Sequence, residues 1–171
     1  QVKHMQETFR AIIHEMGGTP ITPMPSRESG YGILPGGRII HELGVTRIVT
    51  CDPHALNSLR NEYPEFGGHY QLVHHTQLIN ELLAQGRIRV NASLQRVVFH
   101  DPCYLGRHNG EFDAPREVLQ RLRSDAPLEM PLSREKAMCC GAGGGRMWME
   151  ETIGKRINIT RVEQALELQP K

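Results

Sequence analysis

Two adjacent cysteines followed by a run of glycines are the residues of this sequence best suited to inorganic chemistry. They stand in the stretch MCCGAGGGRMWME, which begins at residue 138. Neighbouring cysteines rarely form a relaxed disulfide with each other, so Cys139 and Cys140 are interpreted as two thiolates offered to one inorganic centre. Soft thiolates select iron–sulfur clusters or zinc, and small neighbours let backbone N–H groups approach the sulfur atoms. The pattern predicts a loop that wraps closely around a bulky anionic group.

Other interpretations of these residues stay open at this point. The run from Gly141 to Gly145 is followed by Arg146, so it fits neither the dinucleotide fingerprint nor a phosphate loop, and nucleotide binding is a weak alternative. A zinc site normally presents C-x₂₋₄-C pairs, which this sequence lacks. In the remaining alternative, Cys139 and Cys140 are ordinary buried small residues.

A third cysteine, Cys103, is separated from Cys139 by 35 residues and follows a predicted strand. The segments RIVTCDPHAL (47–56) and RVVFHDPCYL (96–105) echo each other, because each reads as a buried strand that runs into Asp-Pro. Ligands gather at the carboxyl ends of strands in α/β sheets, so both turns are candidate sites. Asp-Pro is also a common connection between a strand and a helix that has no role in ligand binding. For the first segment this alternative stays open.

Several other side chains could support chemistry at these turns. His100 and the pair His74-His75 lie at predicted strand ends and could move protons together with electrons, since imidazole titrates near neutrality; a backbone hydrogen bond is the alternative. Arg146 could balance the charge of a cluster, cap the next helix or lie in solvent. The Met-Trp-Met run at 147–149 is interpreted as core or interface packing.

Alternating strands and helices must position these residues, which indicates α/β architecture with a mostly parallel sheet. Asp52 is a plausible N-cap for a helix that begins with Pro53. We expect two small similar lobes, residues 1–90 and 91–171, each a mostly parallel sheet flanked by helices. Predicted helices cover 5–16, 37–44, 53–63, 76–85, 114–123 and 154–168, and predicted strands cover 47–50, 70–74, 96–100 and 128–130.

Composition narrows the classes of partner and compartment. The net charge is +1 and aromatic residues make up 5%, so electrostatics gives no reason to expect nucleic acid or an anionic membrane surface as a partner. The apolar runs are shorter than a spanning helix requires, and the N-terminus does not resemble a signal peptide. We therefore expect a reducing, cytoplasmic compartment. In such a compartment clustered cysteines more often indicate metal binding or catalysis.

From about residue 96 to the C-terminus the sequence resembles a known family. The stretches HDPCYLGRHNGEFDAPREVL and CCGAGGGRMWMEETIGKRINITRVEQAL are similar to the cysteine-rich CCG domain found in heterodisulfide reductase and in related iron–sulfur oxidoreductases. The resemblance is strongest to the bacterial branch that passes electrons between flavoprotein dehydrogenases and quinone. It implies a [4Fe-4S] cluster, noncubane in heterodisulfide reductase, with Cys103, Cys139 and Cys140 among its ligands. The family's later Cys-x-x-Cys would lie beyond Lys171, so either the chain is a fragment of a longer protein or the protein lacks those ligands, and the present chain could be without a cluster.

The first half resembles the back part of the first CCG domain in two-domain members of this family. Asp52 and Ala55 occupy cysteine positions there, and Ser29-Gly30-Tyr31-Gly32 replaces the cysteine pair. The resemblance therefore implies that this lobe has lost its cluster. Cys51 is one place away from the ligand position, and we expect it to be a buried thiol.

The expected function is a component of an iron–sulfur oxidoreductase. Electrons would come from a flavoprotein or a ferredoxin-like iron–sulfur domain and pass to a disulfide, a quinone or a similar acceptor, in the cytoplasm or at the inner face of the membrane as part of a complex. A docking module with a lost cluster and a thiol–disulfide redox protein are the alternatives. The predicted catalytic residues are Cys103, Cys139, Cys140 and His100, and the predicted cofactor-binding residues are the three cysteines with Gly141, Gly143 and Arg146.

Overall fold

A computed structural model describes residues 44–90, 96–122 and 127–170. The described residues from Val45 onwards belong to one compact unit. The helix predicted at 5–16, residues 37–43 of the helix predicted at 37–44, and the Ser29–Gly32 stretch lie outside the described residues.

The first pair of strands forms a parallel two-stranded sheet. Strand β1 (Arg47–Thr50) pairs with β2 (Gln71–His74) in the register Arg47↔Gln71 to Thr50↔His74. Between them, helix α1 (Pro53–Asn57) continues as a π-helical turn over 58–62 and a 3₁₀ turn over 63–66. The cap predicted for α1 is confirmed, because the Asp52 carboxylate accepts a hydrogen bond of 2.8 Å from the His54 N–H.

The second pair of strands repeats this arrangement on a smaller scale. Helix α2 (His75–Ala84) leads away from β2, and β3 (Val98–Phe99) pairs in parallel with β4 (Leu128–Glu129). Helix α3 (Asp113–Arg121) connects β3 to β4, and α4 (Ile157–Glu167) is the last helix. Two small parallel sheets flanked by helices confirm the predicted α/β class.

Both halves of the described chain contribute to one apolar cluster. Leu56 of α1, Leu72 of β2 and Leu105, which follows β3, are buried together. Polar contacts join the helices beside this cluster, since the Asn80 amide of α2 donates to the Ala114 carbonyl of α3 at 3.1 Å. This packing fixes the turn after β3 relative to β1 and β2.

A buried ion-pair network holds the second sheet together. The Arg116 guanidinium of α3 donates to both carboxylate oxygens of Asp101 at 2.7 and 2.9 Å, and to Glu129 of β4. Asp101 and Arg116 are both buried, and the guanidinium lies 5.1 Å from the centre of the Phe99 ring. One arginine therefore ties the helix between the strands to the ends of both of them.

Replacing Arg116 with methionine should destabilise the fold strongly. The substitution leaves the buried Asp101 carboxylate without its charge partner, which costs about 3–5 kcal/mol in comparable buried pairs. The exposed Arg121 on the same helix is the matched control, and its methionine variant should change stability by less than about 0.5 kcal/mol. Urea unfolding of both variants measures the difference, and equal losses would contradict the role given to Arg116.

Stability should also fall with acidification because of His74. Burial, and secondarily the neighbouring His75, lower the pKa of His74 to about 4, below the ordinary value of 6.5. Between these values the unfolded chain binds more protons than the folded one, so the free energy of unfolding should drop as pH falls, by up to about 1.4 kcal/mol per pH unit. Urea titrations from pH 7 to 4 should show a shallower slope for His74→Gln, and an unchanged slope would refute this assignment.

Candidate functional site

The two cysteine-bearing segments follow the carboxyl ends of neighbouring parallel strands. Cys103 opens the turn after β3 and is half-buried, whereas Cys139 and Cys140 come after β4 and are exposed. Carboxyl ends of parallel strands meet at one edge of a sheet, so strand direction alone brings these segments to the same side. All three cysteines are free thiols.

Two hydrogen bonds tie these segments directly together. The Asp101 carboxylate, two residues before Cys103, accepts from the Arg134 backbone N–H at 2.7 Å. The Arg107 guanidinium donates to the Ala137 carbonyl, two residues before Cys139. These two hydrogen bonds thus join the segments that carry the predicted ligands.

Gly141 is the residue of the glycine run whose identity the structure explains. Its backbone N–H donates to the Cys139 sulfur at 3.3 Å, and its φ of +77° lies in the left-handed region. A Cβ at this position would lie 2.7 Å from the Asn158 backbone nitrogen and 3.2 Å from Ile157 Cβ. The cysteine loop therefore sits against the first turn of α4, at a distance that only glycine permits.

The rest of the run departs from the predicted loop. Residues 143–148 form a 3₁₀ helix, which glycine-rich sequence does not suggest. Gly143 opens this helix, and a Cβ there would meet nothing within 4 Å. Trp148 is 84% exposed and Met149 is exposed too, so neither packs in the core.

Arg146 lies within electrostatic reach of the cysteine pair. Its guanidinium forms an ion pair with Glu151, and the hydrogen bond and charge of this carboxylate raise the pKa of Arg146 above its ordinary value, with a smaller electrostatic contribution from Cys139. Arg146 is exposed, and its ion pair is with Glu151.

His100 is hydrogen-bonded by a side chain of the last helix. Its Nδ1 lies 2.9 Å from Nε of Arg161 in α4. Burial, and secondarily the charge of Arg161, lower the pKa of His100 below its ordinary value. His100 is therefore a neutral imidazole near pH 7.

Sequence reasoning missed an aromatic stack beside Cys103. The Tyr104 ring lies 4.0 Å from the ring of His54 and 4.6 Å from that of His108, measured between centroids. His54 comes from the first Asp-Pro turn and Tyr104 from the second, so the similarity between the two segments was the available signal.

The expectation that Cys51 is a buried thiol was wrong, because this thiol is exposed.

The donors fit an iron–sulfur cluster in their chemistry. They are soft sulfur ligands on a loop of small residues, and one already accepts a backbone N–H hydrogen bond, which is a usual feature around cluster sulfurs. Within 44–90, 96–122 and 127–170, no three His, Cys, Asp or Glu side chains form a group that could hold a metal ion. The cysteines therefore fit an iron–sulfur cluster by the type of their donor atoms and because their segments are joined to each other.

No helix in the described part of the chain is both long and apolar enough to cross a membrane.

Comparison with known proteins defines the class. Residues 97–171 match the CCG family, described as a cysteine-rich domain, so this part of the chain is a CCG cysteine-rich domain. It is 51% identical over 127 residues to a probable iron-sulfur-binding oxidoreductase, FadF, of Bacillus subtilis, covering 74% of this chain and 18% of that protein.

Two further relatives extend this comparison. An EtfAB:quinone oxidoreductase of Syntrophomonas wolfei is 41% identical over 75% of this chain and 19% of its own length. One component of a dihydromethanophenazine:CoB–CoM heterodisulfide reductase of Methanosarcina acetivorans is 31% identical over 72% of this chain and 31% of its own length. The chain thus spans about a fifth of the length of the first two relatives. No solved structure matches it.

Replacing Gly141 with alanine should disturb the cysteine loop. The new Cβ would clash with the first turn of α4 in a backbone conformation that alanine rarely adopts, at a cost of about 1–3 kcal/mol. Gly143→Ala is the matched control, because open space surrounds that position and stability should stay within about 0.5 kcal/mol of the unsubstituted protein. Thermal unfolding of both variants decides the point, and a silent Gly141→Ala would remove the packing argument.

Proposed function

We propose that Cys103, Cys139 and Cys140 hold a [4Fe-4S] cluster through which this chain passes electrons from a redox partner to an acceptor. The observation that carries the proposal is the joining of the two cysteine segments at one sheet edge, through Asp101 with the Arg134 N–H and through Arg107 with the Ala137 carbonyl. Those segments fall within the region that matches the CCG family. Further ligands would come from outside residues 44–170.

The chain's own residues would hold and tune this cofactor. A bound cluster supplies one-electron redox chemistry, and the surrounding protein sets its potential through hydrogen bonds, charge and burial. The Gly141 N–H would stabilise negative charge on the Cys139 sulfur, and the Arg146 guanidinium would offset the charge of the thiolates. Gly143 would keep the surface beside the pair open, since no atom lies within 4 Å of its Cβ position.

The partner classes follow from the relatives and remain part of this proposal. Relatives are named as an EtfAB:quinone oxidoreductase and as part of a heterodisulfide reductase, which supports a flavoprotein or ferredoxin-like donor and a quinone or disulfide acceptor. Free thiols suit a reducing compartment, so we place the chain in the cytoplasm or at the inner face of the membrane within a complex.

The division into lobes 1–90 and 91–171 is also proposed. In the first lobe, Asp52 and Ala55 occupy cysteine positions of the family and serve local structure, Asp52 as a helix cap and Ala55 within α1. The match to the CCG family begins at residue 97, inside the second lobe. These observations support a first lobe that has lost its cluster.

A docking role is the second candidate, and the exposed apolar side chains favour it. Large hydrophobic residues are exposed along the stretch that follows the cysteine pair, namely Trp148, Met149, Ile153, Ile159, Val162 and Leu166. Such a surface is typical of contact with another protein. A docking module would bind its redox partner without containing iron, which separates the two candidates.

Replacing Cys139 with serine should strongly reduce iron binding. The full-length protein, purified anaerobically, should contain iron and acid-labile sulfide and give an electron paramagnetic resonance signal of a [4Fe-4S] cluster. Serine replaces a soft thiolate with a poor ligand for the cluster, so both contents should fall several-fold in Cys139→Ser. Cys51→Ser is the matched control, since Cys51 is an exposed thiol outside the proposed ligand set, and it should retain the cluster.

Two results would count against the cluster. An iron-free full-length protein would favour the docking role, and equal iron contents in the Cys139 and Cys51 variants would remove Cys139 from the ligand set.

A further inference from the structure

Arg161 is a buried arginine whose hydrogen bonds within the described part of the chain go to uncharged acceptors. It is 5% exposed and lies in the second turn of α4. Its guanidinium donates at 2.9 Å to His100 Nδ1, to the Gln164 side-chain oxygen and to the Leu132 carbonyl. A buried charge normally has an ionic partner, so this arrangement calls for a reason beyond stability.

The contact with His100 fixes where the imidazole carries its proton. Arginine has five N–H donors and no acceptor, so the ring nitrogen that it contacts must supply a lone pair. Nδ1 of His100 is therefore unprotonated, and in a neutral ring the proton resides on Nε2. Protonating Nδ1 would bring two donors face to face at 2.9 Å, which requires breaking the contact with Arg161.

We propose that Arg161 is a positioning residue that locks His100 as the neutral Nε2–H tautomer, so that His100 is a permanent hydrogen-bond donor near Cys103 and not a carrier of protons. The state of the imidazole follows from the contact alone. Its use beside a cluster rests on the proposed function.

The charges around His100 agree with this assignment. Burial and the positive charge of Arg161 both disfavour the imidazolium form. Asp101 favours it, but that carboxylate is already occupied by the Arg116 guanidinium and the Arg134 N–H. The two effects that disfavour protonation outweigh the Asp101 charge, and the pKa of His100 is lowered.

The same arginine also anchors the helix that supports the cysteine loop. Through Leu132 and His100, Arg161 joins α4 to the segments after β4 and β3. One turn earlier, Asn158 of α4 lies against Gly141. The Arg161 side chain thus holds both the neutral His100 ring and the helix that supports the cysteine loop. Any protons that the electron acceptor needs must then come from groups other than His100.

Nitrogen-15 NMR of the oxidised full-length protein, labelled at histidine, tests the tautomer directly. The His100 signals are identified by their loss in His100→Gln. We expect a pyridine-type Nδ1 and a protonated Nε2 at pH 7, with a titration midpoint below the ordinary histidine value. An Nδ1–H tautomer, or a titration midpoint near the ordinary histidine value of about 6.5, would overturn the proposal.

Arg161→Met tests whether the arginine is the cause. Loss of the donor and of the charge should move the His100 titration midpoint upwards, towards the ordinary histidine value of about 6.5, whereas Arg161→Lys, which keeps charge and a donor, should keep the midpoint low. A His100 that stays locked in Arg161→Met would disprove the positioning role, and if that variant does not fold, the spectra of the unsubstituted protein still decide the tautomer. Neither measurement depends on iron, so this idea and the cluster proposal can fail separately.

Discussion

The bidentate contact between Arg116 and Asp101 is the interaction on which the second half of this structure depends. Removing both charges from water is costly, and only good geometry with additional hydrogen bonds compensates for it. Here the guanidinium also bonds to Glu129, and Asp101 accepts the Arg134 N–H. Burial alone would raise the pKa of Asp101, yet the bonds from Arg116 and Arg134 lower it, so this carboxylate remains ionised.

The position of the cysteines follows from this one carboxylate. Asp101 follows β3 and precedes Cys103 by two residues, and through the Arg134 N–H it also holds the segment that leads to Cys139. The hydrogen bond from Arg107 to the Ala137 carbonyl joins the same two segments closer to the cysteine pair. A site assembled from two loops acquires defined geometry only when its supporting contacts are fixed, and here these contacts are charged or charge-assisted.

Local pattern was enough to predict most elements, whereas long-range pairing was not. Strand β1 has the predicted bounds, 47–50, and the Asp52 cap and the parallel pairing are as expected, because periodicity and capping act between near neighbours. The partners Arg161 and His100 are 61 residues apart, and no local pattern relates them. The 3₁₀ helix at 143–148 was missed because glycine carries no helical signal.

The two Asp-Pro turns show how one sequence pattern supports two different tasks. The Asp52 side chain is exposed and accepts a hydrogen bond from the His54 N–H, two residues later. The first turn is therefore held by a contact between near neighbours in the sequence. Asp101 is buried and bonds to Arg116 and to the Arg134 N–H, so its turn is formed together with α3 and the segment before Cys139. The first turn therefore keeps its shape without long-range contacts. At the second turn, the contacts that stabilise the fold are the same ones that join the cysteine-bearing segments at one edge of the sheet.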